Sequence, residues 1–238
     1  MKGPYGLDVN DDCKSCSVRG KGFFCQLPPA ALKDLDAIKF ISTYPTHAVL
    51  FVEKETPRGI YVLCQGEMKL SVSSSDGKTL ILKIARPGEV LGLTAALAGN
   101  AHEATAEALR PSQVAFIRRE AFLAFLAKHP EAYPAVAQQL GAHYQTACEQ
   151  LRTVALSNSV QGRVAKFLLD LSDQGRPSSQ GTRLNLALTH EEIGQLICTS
   201  RESVTRTLSD FRHQDLVVIH GSTLTVQNRP ALEHLVAA

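Results

Sequence analysis

The chain has 238 residues, enough for one large domain or two modest ones with a core each. Its 25 Lys plus Arg nearly balance 23 Asp plus Glu, and 44% of residues are hydrophobic, with no Trp. That is ordinary for a soluble globular protein and does not by itself suggest nucleic acid. No apolar run approaches the ~20 residues of a membrane span. The start, Met1-Lys-Gly-Pro-Tyr-Gly-Leu-Asp8, lacks the apolar stretch of a signal peptide. A cytoplasmic protein is expected, with its six cysteines reduced or metal-bound rather than paired.

Residues 1–27 read as an irregular segment bearing Cys13, Cys16 and Cys25, spaced by two and eight residues. Thiolates at short spacing are usual cluster ligands, and four are normally needed. An iron–sulfur cluster, a zinc ion, a reversible dithiol switch and no site at all stay open here. A short helix is expected from about Pro28 to Ile38, with Leu32 and Leu35 inward. Residues 44–117 read mostly as strands: Tyr61 to Gly66, the alternating run Met68 to Val72, a turn at Ser73 to Gly77, a return strand Thr79 to Ile84, and a late strand Gln113 to Ile117. Many short strands with regular turns suggest a small barrel or sandwich. The segment that bears Cys13, Cys16 and Cys25 contains Gly20, Gly22 and little helical periodicity, so it is not expected to be held in place by packing alone.

Helical sequence follows from Arg119 to about Ser157, with breaks expected near Pro130 and Pro134. Val136, Leu140, His143, Ala147, Leu151 and Val154 fall at nearly heptad spacing. Such a stripe fits either a helix packed on its own β half or a seam between two copies, and the seam is the favoured expectation. A helix over 159–174, a loop Gln174 to Gly181 and a short strand Leu184 to Leu188 come next.

The region from Leu188 to Arg212 reads as two helices and a tight turn. Thr189 with Glu192 three residues on has the pattern of a capping box. Ile193, Leu196 and Ile197 give the first helix an apolar face. Ser200 can cap the second, whose apolar face is Val204, Leu208 and Phe211. Arg201, Glu202, Ser203, Thr205 and Arg206 near its start are left over for something outside the core. Two β-branched runs around His220-Gly-Ser222 then signal a hairpin. The two helices and their turn read as a helix-turn-helix, whose second helix enters the major groove. Arg is bidentate to guanine O6 and N7, and Glu accepts from cytosine N4. From Ser159 onward basic and acidic residues balance at eight each, so attraction to phosphate must come from local placement of Arg201, Arg206 and Arg212 and from helix N-termini. Nothing resembles a nucleophile–base–acid set, so no enzyme is expected.

Ser200-Arg-Glu-Ser-Val-Thr-Arg206 resembles the recognition helix of the cyclic AMP receptor/FNR (CRP/FNR) family of bacterial transcription regulators, and Leu216 to Val226 is similar to its wing. The resemblance implies an α+β chain: a cyclic-nucleotide-binding-like β-roll, a long dimerisation helix and a C-terminal winged helix-turn-helix. The expected divisions are 1–27 for the Cys-bearing segment, 28–130 for the effector domain, 131–157 for the dimerisation helix and 158–238 for DNA binding. It further implies a homodimer on palindromic double-stranded DNA, with half-sites like TGTGA facing TCACA, base contacts by Arg201, Glu202 and Arg206, and RNA polymerase as a partner if the protein activates. Ser203, Thr205, Thr189 and Ser200 complete the expected DNA-facing set. Cys198 stands where many relatives have Gly, and is read as a small buried residue.

Cyclic AMP is not the expected effector. Family members that bind it use a Glu for the ribose and an Arg-Ser pair for the phosphate. Leu93 stands near the first place and His102-Glu103 at the second, and a carboxylate there repels phosphate. The N-terminal cysteines resemble the iron–sulfur segment of the FNR branch. That branch takes its fourth ligand from the late β-roll strand, where this chain has Ala115. Cys64 lies on another strand and Cys148 on the long helix, so neither is an evident substitute.

Overall fold

Pro28-Pro29 starts the first α-helix because proline suits the first helical turn, where an amide donor has no partner anyway. The computed structural model describes residues 3–9, 12, 13, 16, 22, 24–156, 159–173, 175–178, 181–186 and 188–237. They form two units, Met1–Thr146 and Ala147–Ala238.

In the first unit α1 (Pro29–Ile38) buries Leu32 and Leu35, as the periodicity requires. It runs straight into β1 (Lys39–Tyr44), earlier than the strands expected from residue 44. Then come β2 (Val49–Phe51), β3 (Gly59–Gln65), β4 (Met68–Ser73), β5 (Thr79–Ala85), β6 (Val90–Leu91), α2 (Leu93–Ala98), β7 (Thr105–Ala108) and β8 (Ser112–Arg118). The strands make two antiparallel sheets, ordered β1-β8-β3-β6 and β2-β7-β4-β5. Side chains alternate across a strand, so β3 and β8 serve two cores at once. Tyr61, Leu63 and Val114 face the second sheet, meeting Phe51, Met68 and Ala106. Ile60, Val62, Ala115 and Ile117 face the helices, meeting Leu32, Leu35 and Phe122.

The N-terminal cysteine segment adds to that second core. Phe24 is buried, edge-on to Phe122 at 5.7 Å between ring centroids, and Leu27 is buried too. Phe24 and Leu27 are therefore anchored by packing, contrary to the expectation from the weak periodicity of the segment; Gly20 lies outside the described residues.

After α3 (Arg119–Lys128) the chain turns through a short 3-10 segment, Pro130–Ala132, into α4 (Tyr133–Leu156). The break is at His129-Pro130 alone. Pro134 falls in the first turn of α4, where its missing donor costs nothing, so it does not interrupt the helix. Val136 is buried in the β-roll core and Leu140 packs against it. His143 is half-buried, its Nε2 2.7 Å from Gln139 Nε2. Ala147 and Leu151 are exposed, and the side chain of Val154 lies outside the described residues. One stripe thus has a part spent on its own chain and a part left open.

In the second unit α5 (Val160–Ser172) is capped by Ser159, whose hydroxyl accepts from the Gly162 amide at 2.9 Å. The expected loop after it holds a further short strand, β9 (Arg176–Ser178), beside β10 (Gly181–Asn185). Then follow α6 (His190–Ile197), α7 (Arg201–His213), the hairpin β11 (Val217–His220) and β12 (Thr223–Val226), and α8 (Arg229–Ala237), which the sequence reading did not foresee. The sheet order is β11-β12-β10-β9.

Candidate functional site

The helix pair α6–α7 is built as its sequence requires. Thr189 Oγ1 accepts from the Glu192 amide at 3.2 Å, and Glu192 Oε2 accepts from the Thr189 amide at 3.0 Å, a complete capping box. Ser200 caps α7, accepting from the Ser203 amide at 3.2 Å. Between them Cys198 takes a left-handed conformation, φ 55°, the usual way to end a helix. It is half-buried rather than buried, and its carbonyl accepts from Arg163 Nη2 at 3.5 Å. Gly194 permits the tight turn: a Cβ there would lie 2.6 Å from the Thr199 carbonyl oxygen.

Val204, Thr207, Leu208 and Phe211 are buried, which fixes the rotation of α7. Arg201, Glu202, Thr205 and Arg206 are consequently exposed, with Ser203 half-buried, and Thr189 and Ser200 are exposed at the two caps. All seven lie at the N-terminal ends of the two helices or within the first turns of α7, where backbone donors and the helix dipole favour an anion. The Glu202 carboxyl is held below its ordinary pKa by its own backbone amide, then by the Ser200 hydroxyl, with Arg201 adding a smaller attraction. It is a permanent acceptor at neutral pH. One contributor was missed in the sequence. His190 Nδ1 lies 2.8 Å from Thr205 Oγ1, which itself donates to the Arg201 carbonyl at 3.0 Å. His190 thus ties the start of α6 to α7, beside an open depression of about 340 Å³ lined by Thr189, His190, Glu191 and Arg201. Its place in the first turn after the Thr189 cap was the available signal.

In the first unit the segment from Gly88 to Thr105 carries β6 and α2. Glu89 is committed to an ion pair with Lys83 and accepts from the Arg86 amide at 3.0 Å. Leu93 is fully buried. His102 is 4% exposed and stacks on Phe51 with 3.9 Å between ring centroids. Burial pushes its pKa down, so it offers no cation at neutral pH where an arginine would. Glu103 beside it is exposed.

The cysteines are all free. Cys13, Cys16, Cys25 and Cys64 line a single small pocket whose walls include Phe24, Leu32, Leu35, Val62, Ala115 and Ile117. The structure thus brings Cys64 to the three N-terminal thiols, whereas Cys148 and Cys198 belong elsewhere. Burial pushes the Cys25 thiol up to about 11 and the Cys64 thiol up to about 12, with the neighbouring cysteines adding to both shifts. Cys13 is also raised by burial, against the opposing hydrogen bond from Lys39. Among the described residues no group of three or more His, Cys, Asp or Glu side chains is set to hold a single metal ion as it stands.

Comparison with known proteins gives two family matches in chain order. A cyclic nucleotide-binding domain profile matches residues 41–129, and a Crp-like helix-turn-helix profile matches residues 162–235. The chain is 28% identical over 187 residues to the cAMP-activated global transcriptional regulator CRP of Pasteurella multocida, covering 78% of this chain and 89% of that one. It is 26% identical over 212 residues to the CRP-like cAMP-activated global transcriptional regulator of Mycobacterium tuberculosis, covering 89% and 94%. Its fold is that of FixK2 from Bradyrhizobium japonicum, with a TM-score of 0.75 at 22% identity over 84% of this chain and 98% of that one. A β-roll of cyclic-nucleotide-binding type followed by a Crp-like helix-turn-helix, in relatives that align along most of their length, makes this chain a DNA-binding transcription regulator of the CRP/FNR family.

Proposed function

We propose that two copies of the chain bind a palindromic duplex, each placing α7 in a major groove and reading a half-site like TGTGA. The observation that carries this is the exposed set Arg201, Glu202 and Arg206 on a helix whose rotation is fixed by its buried face. Arg201 and Arg206 donate to guanines, Glu202 accepts from a cytosine, and Thr189, Ser200, Ser203 and Thr205 hold backbone phosphates or neighbouring base edges. The pairing surface is the open part of α4, with Ala147 and Leu151 exposed at its centre. Val136 and Leu140, earlier on the same stripe, are committed to the β-roll and leave the seam to the part that follows. The working divisions are the Cys-bearing segment 1–27, the effector domain 28–130, the dimerisation helix 131–157 and the DNA-binding domain 158–238.

The effector acts in the N-terminal half through the cysteine segment, not through cyclic AMP. The Pasteurella multocida and Mycobacterium tuberculosis relatives are cAMP-activated, but here buried His102 and the carboxylate of Glu103 stand where the resemblance would put the phosphate. The protein works on the chromosome, in the cytoplasm, and as an activator would meet RNA polymerase. It is a regulator and not an enzyme.

A gel shift on a TGTGA/TCACA palindrome tests the central reading. Arg206→Ala should weaken binding by about 1–3 kcal/mol and relax preference at one G·C pair. A variant as tight and as selective as the wild type would refute the assignment of α7.

A further inference from the structure

We propose that Cys13, Cys16, Cys25 and Cys64 are the four ligands of one thiolate-bound metal centre, with Cys64 on β3 supplying the ligand that β8 does not. The proposal deepens, and rests on, the reading that the N-terminal cysteines form the sensor.

The four thiols reach one pocket from separate parts of the chain: Cys13 and Cys16, the turn at Cys25, and β3. Along β3, Ile60 and Val62 face the helix-side core, and Cys64 packs against that same core. The β3–β8 register shifts between Leu63 and Gln65, which makes Cys64 the extra residue of a β-bulge. Bulges re-aim a side chain and are frequent beside functional sites. On β8, Ala115 pairs with Val62 and lines the same pocket, but its methyl group offers no donor.

The other three thiols are brought in by close backbone contact. A Cβ on Gly22 would lie 2.7 Å from Gly88 Cα, so only glycine lets the segment approach the β-roll there. Three residues on, Cys25 enters the pocket, and Phe24 locks the turn into the core. Lys39 Nζ donates to Cys13 Sγ at 3.1 Å and pairs with Asp36, which also accepts from the Cys13 amide at 3.4 Å. Hydrogen bonds to ligand sulfur are a means by which proteins orient and tune such centres. Soft thiolates in this number select zinc or an iron–sulfur cluster. One tetrahedral zinc needs its sulfurs about 3.8 Å apart, from Zn–S bonds of about 2.3 Å. The described donors are not set for a single ion as they stand, so zinc requires the segment to tighten, whereas a cluster spans more widely placed thiolates.

The full chain, purified without oxygen and reconstituted separately with ferrous iron plus sulfide and with zinc, provides the test. Iron, acid-labile sulfide and zinc are measured with the visible spectrum, for wild type, Cys64→Ala, Cys148→Ala, Cys198→Ala and the double variant Cys64→Ala/Ala115→Cys. Wild type and the Cys148 and Cys198 variants should hold one centre per chain, iron with sulfide and colour, or colourless zinc. Cys64→Ala should lose most of it with an unchanged circular dichroism spectrum, and Ala115→Cys should restore it from the adjacent strand. A wild type that takes up neither metal, a Cys64→Ala variant that keeps its full complement, or a double variant that regains none would each overturn the proposal. A chain that holds the metal yet ignores the palindrome would refute the DNA reading and leave this one standing.

Discussion

At the scale of single residues, small polar groups decide geometry and charged ones decide partners. Thr189 and Ser200 are exposed, but each satisfies an amide that would otherwise lack a partner, and so fixes where a helix begins. His102 works in the opposite sense. Stacked on Phe51 and with its pKa pushed down by burial, it stands where the resemblance to the family would put a phosphate-binding arginine. Calorimetry with cyclic AMP should therefore show no binding heat at micromolar protein, and a tight, saturable isotherm would mean that this segment holds phosphate in another way. The caps were legible in the sequence because capping is local and chemically specific. Cys64 was not, because its meaning depends on which strand lies beside β3 and on a bulge, and neither leaves a mark in the residues around it.

At the scale of elements, α4 shows how one pattern serves two surfaces. A heptad stripe records only that apolar side chains share a face; it does not say what covers them. Val136 and Leu140 are covered by the chain's own β-roll, while Leu151 is 68% exposed. If that exposed part is the seam between copies, Leu151→Glu would bury a carboxylate against its twin at a large desolvation cost. Sedimentation should then find a monomer where the wild type is a dimer, and a wild-type monomer that still bound the palindrome tightly would remove the seam from the account. Long periodic elements such as α1, α5, α6 and α7 could be read directly. Among those missed, α2, β7 and β9 span six, four and three residues, too few to display a period, whereas α8 was missed although it spans nine.

At the scale of the whole molecule, the sequence made a β-rich half and a helical DNA-binding half visible, but not the division of the strands into two sheets. β3 and β4 are joined by a short turn yet lie in different sheets, because β3 pairs with β6 and β8 while β4 pairs with β5 and β7. Charge is a global property too, and here it is nearly neutral. On the proposed reading, attraction to DNA then comes from the local placement of a few cations, Arg201, Arg206 and Arg212 in each copy, beside the phosphates that flank the bases read. With roughly 4–6 phosphates neutralised per dimer, a plot of log K against log salt should have a slope of about −4 to −5. A slope near zero, or one near about −10, would contradict that count.

The pairing of β3 with β8 also bears on how such a site can change over evolutionary time. Val62 and Ala115 are cross-strand partners, and the bulge puts Cys64 on the wall they share. Exchange of a thiol between Cys64 and position 115 would therefore keep it against the same volume. Comparison column by column would score that exchange as a loss, whereas comparison by volume would score it as a move.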